Sequence, residues 1–105
     1  MFFIEGKTFT WSDDKNRINQ KKHGLSFEEA VLAFLDPHMV IRYDEVHSSQ
    51  KESRWKGIGI LGSDILLAII FTEEQENELR LISARKASKK EKEDYRENIR
   101  QIFGP

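Results

Sequence analysis

At Asp36-Pro37 the spacing of the apolar residues changes, and this constrains the fold more than any other feature of the chain. Before it, Phe27, Ala30, Val31, Phe34 and Leu35 recur at three and four residues, the period of a helix with one buried face. After it, apolar residues alternate or run together in short stretches, the signature of strands. Proline lacks an amide N–H and restricts the residue before it, so the helix stops there. Four strands are expected beyond it: His38–Val46, Arg54–Leu61, Ile65–Thr72 and Glu78–Ala84. They are joined by a polar loop, His47–Ser53, and by turns at Gly62-Ser63-Asp64 and Glu73–Asn77. Ile65–Thr72 is apolar on both faces, as an interior strand is.

The helix boundaries are written in short-range chemistry. Ser12 or Asp13 can cap a first helix over Asp13–His23, and Gly24 can end it in the left-handed conformation. On that helix Lys15, Ile18, Asn19 and Lys22 share one face, with Ile18 as its apolar anchor. That face fits either a helix at the edge of the core or the rim of a cationic cleft. Ser26 with Glu29 and Ser88 with Glu91 are two capping boxes. The second opens a closing helix whose apolar stripe is Tyr95, Ile99, Ile102 and Phe103. Upstream, Phe2–Trp11 reads as a hairpin turned at Glu5-Gly6-Lys7. Hairpin, two helices, an antiparallel meander and a helix make an α+β fold, its antiparallel sheet packed by two N-terminal helices and a C-terminal helix.

At 105 residues the chain is one domain, 1–105. Its longest apolar run, Ile65–Phe71, is far short of the about 20 residues that cross a bilayer. Met1-Phe2-Phe3-Ile4 meets Glu5 and Lys7 at once, so no secretory leader is expected, and a cytoplasmic location is. Zero cysteines exclude disulfides and thiolate chemistry. His23, His38 and His47 are scattered without ligand spacing, so no metal site is expected. No phosphate-binding glycine loop or nucleophile elbow is present.

Charge is unevenly placed although the formal net charge is −1. Glu73, Glu74, Glu76 and Glu78 form an acidic run, and Arg80, Arg85, Lys86, Lys89, Lys90 and Lys92 follow against the single acid Glu91. Such runs suit either a solvated turn and helix start or a stripe that meets phosphate. A turn at Gly62–Ile65 would pair Gly57 with Ile70 and Ile70 with Arg80. Trp55, Gly57, Ala68, Ile70, Arg80, Ile82 and Ala84 would then share one face, and Arg54, Lys56, Leu79, Leu81 and Arg85 the other. A slip of one residue would exchange them. The arginines are either rim ion pairs or a phosphate site, for which the guanidinium fork is well shaped.

The order of motifs resembles the BrnT toxins of type II toxin–antitoxin systems. The resemblance rests on Phe9-x-Trp11, Lys15-x-x-x-Asn19-x-x-Lys22-His23-Gly24-x-Ser26-Phe27-Glu28-Glu29-Ala30, Asp36-Pro37, His47-Ser48, Glu52-x-Arg54-Trp55 and Arg80-x-Ile82-Ser83-Ala84-Arg85-x-Ala87-Ser88. It implies a RelE-like fold and a metal-independent ribonuclease without cofactors that cleaves RNA and inhibits translation. It also implies a hetero-oligomer with a ribbon-helix-helix antitoxin, and no membrane. The other reading of the same resemblance is a non-catalytic antitoxin-binding or RNA-binding module. Ser12 and Glu74 depart from the family's pattern, which often has an acid and a base there. Metal-free RNA cleavage needs proton transfer at the 2′-hydroxyl and leaving oxygen, and cations on the phosphorane. On that chemistry Arg54, Arg80 and Arg85 are the expected phosphate-binding or transition-state groups. His47 or His23 would transfer protons, Glu52 would be a base or orienter, and Lys15, Lys22, Lys86 and Lys89 would touch the RNA backbone.

Overall fold

A computed structural model describes residues 1–104. Six strands form one sheet: β1 (Phe2–Ile4), β2 (Lys7–Thr10), β3 (Val40–Tyr43), β4 (Trp55–Leu61), β5 (Ile65–Gln75) and β6 (Glu78–Lys86). Their order across the sheet is β1-β2-β6-β5-β4-β3, with β5 interior as its two-sided apolar pattern requires. The helices are α1 (Asp13–His23), α2 (Phe27–Ala30, continued by a 3-10 turn over Val31–Leu35) and α3 (Lys89–Phe103). No helix among the described residues is long and apolar enough to cross a membrane.

The meander β3-β4-β5-β6 is antiparallel as expected, but the sheet as a whole is mixed, which corrects the expectation of a wholly antiparallel sheet. The N-terminal hairpin docks beside the last strand, so β2 runs parallel to β6 with Phe9 opposite Leu79 and Thr10 opposite Arg80. Burial drives this: Phe9 is 1% exposed and packs tilted against Phe34, ring centres 4.8 Å apart, and Phe34 meets Phe71 at 5.4 Å. Phe27, Val31, Leu67, Ile69 and Leu81 complete the main core on that face. On the opposite face a smaller cluster of Val40, Ile58 and Ala87 is covered by Tyr95 of α3.

Three other expectations change for local reasons. The second helix leaves α-geometry after Ala30. At three residues per turn Ala30 and Ala33 align, so Ala33 turns inward and Leu35 turns out to solvent. Ala33 then lies against the sheet so closely that a Cβ on Gly59 would stand 2.9 Å from its carbonyl oxygen. The strand expected over His38–Val46 stops at Tyr43, because Asp44 begins a turn that accepts the Ser48 N–H on its carbonyl (3.0 Å). On α3 only the first half of the apolar stripe is covered. Ile102 and Phe103 remain exposed, with Phe103 edge-on to His38.

Helix α1 has the predicted bounds. The Ser12 side chain accepts from the Lys15 N–H, and Gly24 (φ +69°) returns its N–H to the Gln20 carbonyl. Its anchor is different. Ile18 is 59% exposed, and the helix docks through two buried asparagines. The Asn19 side chain accepts from the Ala84 N–H (3.0 Å) and donates to the Ala84 (2.8 Å) and Leu25 (2.9 Å) carbonyls. Strand β2 pairs only with Glu78–Arg80, so the rest of that edge of β6 lacks a strand partner and the Asn19 amide stands in for one. Asn16 accepts from the Phe27 N–H (2.8 Å) and so holds the start of α2. Asp36 does for β4 what Asn19 does for β6: it accepts from the Ile60 N–H (2.9 Å) and from the Tyr95 hydroxyl (2.7 Å). Burial and that bond push the Tyr95 phenol well above its ordinary range.

Candidate active site

The register decides which charged side chains meet. The β4–β5 turn is three residues long, Leu61 pairs with Ile65, and Gly57 therefore faces Ile69 rather than Ile70. Arg80 faces Thr72, not Ile70. Trp55, Gly57, Ile69, Phe71 and Leu81 consequently share the main core face, and Lys56, Ala68, Ile70 and Thr72 the other. Arg80 and Arg85 are five residues apart, so simple alternation would put them on opposite faces. A bulge intervenes: Ser83 pairs with Ile70 and Leu81 with Phe71, leaving Ile82 extra. Thr72–Arg80 and Ala68–Arg85 are then two rungs on one face, about 13 Å apart along β5. Bulges commonly re-aim side chains in this way.

At the first rung Glu52 joins two arginines. Its Oε1 accepts from Arg54 Nε (2.9 Å) and its Oε2 from Arg80 Nη2 (2.7 Å). The hydrogen bond from Arg54 is the larger cause holding the Glu52 carboxyl below its usual range, against desolvation; the charges of Arg80 and Lys15 add to it. Arg54 lies one residue before β4, in the loop, and not on the strand expected for it. A second bulge leaves Glu74 unpaired with β6, and its carboxylate takes Arg80 Nε. Arg80 is thus held by two carboxylates, and a cleft of about 470 Å³ opens beside them between Lys51, Glu52, Thr72 and Glu74. The Thr72 hydroxyl donates to the Ser53 carbonyl (2.8 Å), tying the loop to the sheet.

At the second rung the helix cap and the arginine share one carboxylate. Glu91 accepts from the Ser88 N–H (2.8 Å), closing the predicted capping box. It also accepts from both Nη atoms of Arg85 (2.6 and 2.9 Å) and lies 2.9 Å from Lys56 Nζ. The Arg85 bond is the main cause driving the Glu91 carboxyl far below its ordinary range, and the same bond raises Arg85. Groups so depressed bind protons less readily folded than unfolded, so their stabilisation is present above the ordinary carboxylate range and is lost as pH falls. The urea midpoint is expected to fall steadily from pH 6 to pH 3. Glu91→Gln should lower stability at neutral pH by about 2 kcal/mol and flatten that acid limb; parallel curves for the two proteins would contradict it.

His47 sits in the loop between β3 and β4, with Nδ1 2.6 Å from Asp44 Oδ2. Asp44 itself lies within the field of Arg85. His23 is placed elsewhere. With Lys15, Ile18, Asn19 and Lys22 it lines a groove of about 270 Å³ against Ile82 and Ser83, and it shares no hydrogen bond with the arginines among the described residues. Lys15 and Lys22 thus flank a groove on α1 in which Asn19 is buried and Ile18 is exposed. Lys86 ends β6 beside Leu66 and Lys92, and Lys89 is exposed at the first position of α3. Among the described residues no group of three His, Asp or Glu side chains could hold a metal ion. Asp44 was absent from the sequence-derived candidates. Its only sequence signal is the Asp44-x-x-His47 spacing, common in turns and uninformative alone.

Arg80 and Arg85 thus stand on one sheet face, with Arg54 and His47 on the loop beside it. Residues 11–91 match the family described as the ribonuclease toxin BrnT of type II toxin–antitoxin systems, and the chain belongs to that family. Among solved structures, the crystal structure of the Brucella abortus ribonuclease toxin BrnT is similar to it with a TM-score of 0.62 and 27% identity, covering 79% of this chain and 99% of that one. No curated protein matches the chain.

Proposed function

We propose that the protein is a metal-independent endoribonuclease toxin of RelE-like fold that cleaves RNA and inhibits translation. The observation that carries this reading is the Ile82 bulge, which sets Arg80 and Arg85 on one face beside the loop that holds Arg54 and His47. Arg54 and Arg80 supply the fork-shaped donors that a phosphorane needs, and Arg85 braces the second rung through Glu91. His47 has an exposed imidazole suited to proton transfer, with His23 in the α1 groove as the alternative. Glu52 orients both arginines. Lys15, Lys22, Lys86 and Lys89 would contact the RNA backbone, and residues on the α1 groove would guide one strand past Ile82. The partner is an antitoxin carrying a ribbon-helix-helix DNA-binding domain, in a cytoplasmic hetero-oligomer.

A second reading has its own observation. Arg80 meets Glu52 and Glu74 together, so its charge is already neutralised, as in a binding module without turnover. Purified protein incubated with RNA in excess chelator separates the two. Cleavage supports the enzyme, whereas RNA or antitoxin binding without cleavage supports the module.

A further inference from the structure

We infer that Asp44 is a positioning residue for the cleavage step: it fixes the His47 imidazole in the Nδ1–H form and leaves the Nε2 edge open to a substrate. The inference rests on the nuclease reading above.

Every contact of this turn serves to hold the pair. A carboxylate can only accept, so the 2.6 Å contact from Asp44 Oδ2 to His47 Nδ1 places a proton on Nδ1, and in the neutral ring the lone pair is then on Nε2. The other carboxylate oxygen accepts the His47 backbone N–H (3.3 Å), so ring and backbone are gripped by one group. Asp44 is fixed in turn. Its N–H donates to the Arg54 carbonyl (2.9 Å), and its own carbonyl accepts from the Ser48 hydroxyl (2.6 Å). That hydroxyl oxygen also accepts the Arg54 N–H (2.8 Å). The two ends of the loop are therefore laced together, and His47 is held beside the backbone of Arg54, whose side chain reaches Glu52 and the first rung. From β6, Arg85 faces the Asp44 charge, itself paired with Glu91 of α3, which also meets Lys56 of β4.

Exposure divides the pair in the sense a proton-transfer group needs. The Asp44 side chain is 10% exposed and that of His47 is 55% exposed, so the carboxylate is sheltered while the imidazole edge is open to a substrate. A sheltered orienting carboxylate, a fixed tautomer and an accessible Nε2 are the arrangement by which an imidazole accepts a proton without first reorganising. Here the proton would pass from the RNA 2′-hydroxyl to Nε2 as its oxygen attacks the adjacent phosphorus; the bond from phosphorus to the 5′-oxygen breaks, and that oxygen takes a proton from solvent, leaving a 2′,3′-cyclic phosphate and a 5′-hydroxyl.

Two readouts test this on the whole protein. Imidazole ¹⁵N shifts should show His47 as the Nδ1–H form in the native chain and as the Nε2–H form, the ordinary preference of a free side chain, in Asp44→Asn. That variant keeps an acceptor for the His47 N–H, so the turn should persist. On RNA, Asp44→Asn should lower kcat by about 10²-fold with KM unchanged, His47→Gln should lower it at least as far, and the double variant no further. An unchanged tautomer or an additive double variant overturns the inference. If the native protein cleaves no RNA while the tautomer shifts as stated, the nuclease reading fails and with it the catalytic role of Asp44. If it cleaves normally in Asp44→Asn, only the inference fails.

Discussion

Replacing Arg80 by alanine is expected to lower the rate of RNA cleavage by about 10²–10³ while moving the melting temperature by only a few degrees. The kinetic loss follows from its place on the Thr72 rung beside the cleft, where Glu52 holds its Nη2 and Glu74 its Nε. The small thermal effect follows from its partners. Glu52 keeps Arg54 when Arg80 is gone, and Glu74 is 42% exposed, so neither carboxylate is left buried and alone. Ion pairs this open are worth about 0–1 kcal/mol. The structural alternative predicts the reverse, a stability loss without a rate loss. Glu74→Gln separates them further: it removes one of the two negative charges that neutralise Arg80, so the nuclease account expects cleavage to be retained or raised.

Asn19→Ala is expected to be the most damaging single truncation outside the apolar core. Asn19 is 4% exposed and satisfies the N–H and C=O of Ala84 and the C=O of Leu25. Alanine leaves three backbone groups at a buried edge without partners, at about 1–3 kcal/mol each before relaxation. A net loss of about 3 kcal/mol is expected, which for a chain of this size is roughly 15 °C in melting temperature. Ile18→Ala, one residue away, should change it by a degree or two, because that side chain is already in solvent. Equal effects from the two variants, read by thermal denaturation, would show that α1 docks by apolar contact after all.

The contrast between Ile18 and Asn19 also marks how far the sequence could be read. The ends of α1 and the two capping boxes depend on side chains three or four residues apart, so Ser12, Gly24, Ser26–Glu29 and Ser88–Glu91 announced them correctly. The interior position of β5 followed from its two apolar faces. Asn19 could not be read this way, because its partner Ala84 lies 65 residues away and no local pattern encodes that bond. The same holds for Asp36, which looks like a helix stop and also completes the edge of β4. The parallel pairing of β2 with β6 was hidden because periodicity gives strands and not their neighbours.

The arginines were legible as residues and illegible as a site. Their face assignments hung on a turn one residue shorter than expected and on an extra residue at Ile82, neither of which alternation can reveal. Glu74 was visible as a departure from the family's pattern, but its grip on Arg80 needed the second bulge. Membership of the BrnT family agrees with the motif order read along the chain, since the matched span of residues 11–91 includes Arg54, Arg80, Arg85, His47 and both groove lysines of α1.

The central claim is that these side chains alone carry out the cleavage. Purified protein should be incubated with end-labelled RNA in excess chelator, and the new ends identified. Attack by the 2′-hydroxyl predicts cleavage at undiminished rate, with 2′,3′-cyclic phosphate on one fragment and a 5′-hydroxyl on the other. Intact RNA, or 5′-phosphate ends that appear only when metal is restored, would contradict it.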